Sequence, residues 1–102
     1  MSKPVYVMAV LTAKPGRRAE ILSAFAENLP AVLAEDGCVT YVPAIDHPGS
    51  TAPQGDDVIV VVEEWSSADH LEAHRTAPHM VAFGERVGPL LANRAIHVLE
   101  AP

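Results

Sequence analysis

Two stretches of this chain, Val5-Tyr-Val-Met-Ala-Val-Leu11 and Val58-Ile-Val-Val-Val-Glu-Glu-Trp65, carry apolar residues at almost every position. A strand that alternates polar and apolar residues can keep one face in water. One that does not needs cover on both faces. The 102 residues leave room for one domain, residues 1–102, with one modest core. Two segments with helical spacing accompany the strands, enough to cover one face of a sheet and not both. The cover that needs no further sequence is the same face of a second copy, related by a two-fold axis. A homodimer is therefore expected from the residues themselves. With 49% hydrophobic and 20% charged residues the chain is apolar for so small a domain, which agrees with that expectation.

The rest of the chain falls into place around these strands. Lys14-Pro15-Gly16 breaks the first one, and from Arg17 to about Ala34 the residues Leu22, Phe25, Ala26, Leu29, Val32 and Leu33 recur with helical spacing. Pro30 lies inside that pattern and removes a backbone donor, so a kink or early end is expected near Asn28–Leu29. Gly37 suits a left-handed cap. A second strand follows from Cys38 to about Ala44, then a loop from Pro43 to Asp57 rich in proline and glycine. After the third strand, Ser66 and Ser67 are N-cap candidates for a helix from Ala68 to Arg75. Pro78 opens a further helical stretch in which Met80, Phe83, Val87 and Leu91 share a face, with Gly88-Pro89 placed to end it early. Asn93 to Leu99 reads as a last strand. The order β-α-β-β-α-β is the ferredoxin-like arrangement, an α+β fold with a four-stranded antiparallel sheet.

Charge and composition exclude several classes. The net charge of −6, with seven scattered cations, argues against a nucleic-acid partner. The longest aliphatic run, Val58 to Val62, is too short to span a bilayer, so no membrane partner is expected. The single Cys38 cannot form an internal disulfide, and the first residues lack a signal-peptide pattern. A cytoplasmic protein is the expectation.

The stretch Glu63-Glu-Trp65-Ser-Ser-Ala-Asp-His-Leu-Glu-Ala-His74-Arg-Thr-Ala-Pro78-His79-Met-Val-Ala-Phe83 resembles the antibiotic biosynthesis monooxygenase family. Members carry E-x-W at the end of the third strand, a short helix ending in A-H, then P-H before a hydrophobic helix. Glu35-Asp-Gly37-Cys38-Val-Thr-Tyr41 is similar to the family's E-P-G-C-x-x-Y, with Asp36 where proline is usual. The resemblance implies pairing into a dimeric α+β barrel. It also implies oxidation of an electron-rich quinol or polycyclic phenol by O₂, with no cofactor and no metal. The same fold hosts isomerases, cyclases and haem-degrading enzymes. Haem-degrading members share an Asn on the first strand, and Val5 to Leu11 has none, which disfavours haem breakdown. The Pro43–Asp57 loop is longer than in many relatives.

Triplet O₂ reacts slowly with singlet organic molecules, and the usual escape is one-electron transfer from a substrate anion followed by radical recombination. Such a site needs a base, a flat apolar slot and exclusion of water. His74 shares a face with Leu71 and either points into a cleft as the base or caps its helix C-terminus. His79, at a helix N-terminus, is the second candidate base or else an exposed loop histidine. Trp65 either stacks on the substrate and orients O₂ or fills the core. Glu63, on the Trp65 face of its strand, either orients a histidine or pairs with Arg75, Arg86 or Arg94 as scaffolding. Tyr41 is a candidate hydrogen-bond donor to a substrate oxygen, Phe83 a core or pocket wall, and Arg86 a partner for a phenolate or a solvated charge. His70 and His74 also have metal-ligand spacing, and His79 is near, but no carboxylate or cysteine completes a ligand string. No metal is expected, and His70 reads as surface. Three functions stay open: the cofactor-free monooxygenase acting on a small aromatic substrate, an isomerase or cyclase of the same fold working without O₂, and a non-catalytic small-molecule binding domain.

Overall fold

A computed structural model describes residues 2–102. The elements run β1 (Val5–Ala13), α1 (Arg18–Leu33), β2 (Cys38–Ala44), β3 (Val58–Trp65), α2 (Ala68–Thr76), α3 (Pro78–Val87) and β4 (Leu91–Leu99). The strands form one sheet in the order β2-β3-β1-β4, with all neighbours antiparallel. This is the ferredoxin-like arrangement, with its second helical segment split in two at Ala77.

Register decides which side chains meet. Val7, Ala9 and Leu11 of β1 stand opposite Glu63, Val61 and Ile59 of β3, and on the other side opposite Val98, Ile96 and Arg94 of β4. Tyr41 of β2 faces Glu63. These residues share the helix side of the sheet, though Arg94, Ile96 and Val98 of β4 remain exposed there. On that side Val7, Ile59, Val61 and Trp65 are buried with Ile21, Phe25 and Val32 of α1 and Phe83 and Val87 of α3. Because side chains alternate, Tyr6, Met8, Val42, Val62 and Leu99 emerge on the opposite face, where the chain supplies no cover and each is exposed.

Three expectations are corrected. Helix α1 does not break near Asn28–Leu29 but continues to Leu33 with Pro30 exposed inside it. Buried side chains on both sides of the proline, Phe25 and Val32 among them, hold the helix on the sheet. Their burial outweighs the ~3 kcal/mol that an interior proline costs. Pro43 belongs to β2, opposite Val61, and is accommodated because β2 is an edge strand. Leu91 opens β4 instead of extending the α3 face, because the helix stops at Val87 and a 3₁₀ turn, Gly88–Leu90, follows.

The loop after β2 is tied to the start of α1. Asp46 accepts the backbone N–H groups of Gln54 and Gly55, both at 2.9 Å, and these donors hold its carboxyl below the ordinary range. Arg18 donates to the carbonyls of Gly55 and Val58. Among the described residues, no helix is long and apolar enough to cross a membrane.

Candidate active site

The site begins at the turn between α1 and β2. Glu35 N–H donates to Val32 O, Cys38 N–H donates to Glu35 O, and Gly37 adopts φ 76°, where a side chain would be strained. A Cβ on Gly37 would also lie 2.3 Å from the His70 ring, so the backbone reverses under a histidine with no room to spare. This turn aims Glu35 at the break between α2 and α3. There its Oε2 receives His74 Nδ1 at 2.9 Å and His79 Nε2 at 2.8 Å. The break is built for the purpose. Ser67 caps α2 by accepting the His70 N–H, which fixes the helix phase and sets His74 one turn later on the buried side. Pro78 then starts α3 at its first helical position and places His79 beside the same carboxylate.

The hydrogen bonds imply the tautomers. An ionised carboxylate only accepts, so His74 carries its proton on Nδ1 and His79 on Nε2. The acceptor nitrogen of neutral His74 is then Nε2. No protein group bonds that nitrogen among the described residues, and no buried side-chain polar atom there lacks a partner, so Nε2 opens onto free space.

That space is a cleft of about 210 Å³ between the helices and the sheet. His74, Tyr41 and Glu63 line one end, Phe25, Phe83, Met80 and Val87 the helical side, Val7, Ala9, Leu11 and Val61 the floor, and Arg94 and Ile96 the β4 side. The His74 ring is 6% exposed and stacks at 4.5 Å on Trp65, which is itself fully buried. Tyr41 meets the same imidazole edge-on at 5.5 Å.

Electrostatics distinguish the two polar groups beside the base. Burial, with the negative charges of Glu63 and Glu35 adding, pushes the Tyr41 phenol well up, so it stays a hydrogen-bond donor at neutral pH. Burial also raises the Glu63 carboxyl, against the opposing effect of the Trp65 N–H that it accepts at 2.9 Å.

A profile described as antibiotic biosynthesis monooxygenase matches residues 4–86. The chain is also 38% identical to the probable quinol monooxygenase YgiN of Escherichia coli over 92% of this chain and 94% of that one. It belongs to the antibiotic biosynthesis monooxygenase family. Among solved structures, Rv0793 from Mycobacterium tuberculosis superposes with TM-score 0.80 at 30% identity, covering 97% of this chain and 94% of that one. PA3566 from Pseudomonas aeruginosa superposes with TM-score 0.84 at 25% identity, covering 100% and 97%.

Within this family fold, His74, Tyr41, Glu63 and Phe83 meet in the cleft as a group, while three other sequence candidates stand elsewhere. Trp65 lies behind His74 and does not line the cleft, because its indole is pinned to Glu63 and enclosed by the core. His79 faces a surface groove between α1 and α3 and touches the site only through Glu35. Arg86, read as a phenolate partner or a solvated charge, is the latter: it lies on the same outer groove, exposed and ion-paired with Glu27 of α1. Glu63 forms no ion pair with an arginine among the described residues; its partner is the indole. His70 is half-buried, not at the surface, with Nδ1 on Ser67 and its ring over Gly37. Among the described residues, no three His, Cys, Asp or Glu are grouped to hold a metal ion.

Sequence reasoning missed Glu35 and the cleft position of Arg94. Glu35 is separated from His74 by 39 residues and from His79 by 44, so no local pattern joins them. The only available signal was its place at the head of the E-x-G-C segment.

Proposed function

We propose that this protein is a cofactor-independent monooxygenase that oxidises an electron-rich quinol or polycyclic phenol with O₂, and that it works as a homodimer. The observation that carries the reading is the set of groups around His74: a fixed Nδ1–H on Glu35 and a free Nε2 facing a largely apolar cleft. The match to relatives named as monooxygenases supports it.

In this reading the substrate lies flat in the cleft with a hydroxyl at His74 Nε2. The imidazole takes the proton, and Glu35 stabilises the resulting imidazolium while keeping the ring in place. Tyr41 donates to the developing oxyanion. The electron-rich anion gives one electron to O₂, and the semiquinone and superoxide recombine at a ring carbon. Loss of water from the hydroperoxide leaves a hydroxylated quinone, so that quinol plus O₂ becomes hydroxyquinone plus water. The quinol itself supplies all four electrons. The apolar walls keep solvent from the radical pair. The second copy covers the outer sheet face of Tyr6, Met8 and Val62.

Oxygen consumption with a panel of hydroquinones and anthrones, on metal-stripped protein, tests the reaction. Uptake above the enzyme-free rate is expected, falling about 10²–10⁴-fold in His74→Ala, the usual contribution of a positioned base. Glu35→Gln is expected to lower kcat less, since the ring keeps a hydrogen-bond acceptor and loses the charge. Uptake that never exceeds autoxidation removes the oxygenase reading for the panel. Turnover unchanged under nitrogen indicates isomerisation instead.

A further inference from the structure

The cleft wall holds two arginines that the reaction above leaves unused, Arg75 of α2 and Arg94 of β4. Arg94 stands opposite Leu11 on the helix side of the sheet, exposed on β4, and lines the cleft beside Leu91 and Ile96. The other arginines have partners: Arg17 with Glu20, Arg18 with two loop carbonyls, Arg75 with Glu72 and Arg86 with Glu27. Arg94 has no hydrogen bond or ion pair among the described residues. The one acidic side chain in the cleft wall, Glu63, belongs to the opposite end. An unpaired guanidinium is free to take an anion, and its planar fork matches a carboxylate.

Register sets the distance between the two ends of the cleft. Tyr41 and Glu63 lie on the rung of Val7 and Arg94 on the rung of Leu11, four residues further along β1 by number. That is about 13 Å along the strand, and β3 and β4 flank β1 at about 10 Å from each other, so the Cα diagonal is roughly 16 Å. His74 belongs to α2 and meets the cleft at the Glu63 end, beside Tyr41, so a substrate that reaches both His74 and Arg94 spans the cleft and needs more than one ring.

We infer that Arg94 binds a carboxylate on a fused-ring hydroxyaromatic substrate, at the end remote from the hydroxyl that meets His74. The inference rests on the cleft being the oxidation site, and it adds the substrate's charge and length. Arg94 then sets which phenols are accepted and takes no part in proton or electron transfer.

The test compares 1,4-naphthoquinone with its 6-carboxylate as non-reacting ligands, and the corresponding hydroquinones as substrates. By calorimetry, the wild type is expected to bind the carboxylate at least about tenfold more tightly, the scale of a charge-assisted hydrogen bond. The ratio should approach one in Arg94→Gln, stay intermediate in Arg94→Lys, and persist in Arg86→Gln, whose arginine lies outside the cleft. Thermal melts confirm that each variant is folded, and exposed Arg94 on an edge strand tolerates both changes. Equal affinity for the pair in the wild type, or a preference surviving in Arg94→Gln, overturns the inference. An Arg94-dependent preference without oxygen uptake sinks the monooxygenase reading and leaves the anion site standing. Uptake without any carboxylate preference does the reverse.

Discussion

A single carboxylate oxygen, Glu35 Oε2, receives an N–H from each of two imidazoles, and this determines which histidine nitrogen faces the cleft. The second acid of the site, Glu63, sits in a different environment. Burial raises its carboxyl above the ordinary range, so the folded state holds this proton more tightly than the unfolded chain does. A raised folded value means full stability below the unfolded carboxylate range and a loss as pH rises through the folded value. Glu63→Gln removes that titration and keeps an acceptor for the Trp65 N–H. Its melting temperature is expected to equal the wild type near pH 4 and to exceed it increasingly toward pH 7, at fixed protein concentration. A difference that does not change with pH would show that Glu63 titrates as an ordinary surface acid.

At the level of elements, most boundaries were legible. The strand from Val58 to Trp65, the Ser67 cap, the Gly37 reversal and the restart at Pro78 are local matters, fixed by side-chain shape and backbone freedom over a few residues. Pro30 was misjudged because its cost is local while the compensation is tertiary: Phe25 and Val32 bury the helix on the sheet across the defect. Pro30→Ala restores one helical N–H, offset in part by a freer unfolded chain. A net gain of about 1–2 kcal/mol in urea unfolding is expected. No gain would mean that the helix has adapted to the proline.

For the molecule as a whole, the uncovered sheet face is the dominant fact. Met8 pairs with Val62, and Val62 with Val42, so three apolar side chains form a row across β1, β3 and β2 at 37%, 40% and 50% exposure. A charge in the middle of that row should prevent a second copy from covering it. Light scattering at micromolar concentration is expected to give twice the chain mass for the wild type and the single-chain mass for Val62→Asp. A wild type that already reads as one chain would remove the homodimer proposal.

The sequence by itself determined the element order, the inward and outward alternation of the strands and the excess of apolar surface, because these follow from side-chain periodicity and turn chemistry within short windows. It also placed His74, Tyr41, Glu63 and Phe83 among the residues of interest. Only the tertiary structure decided their company. It brought Glu35 across 39 residues to His74, set Trp65 behind the base, turned Arg86 outward onto Glu27 and left Arg94 in the cleft. Whether two side chains far apart in the chain touch depends on strand register and on how the helices seat on the sheet, and no local pattern encodes either.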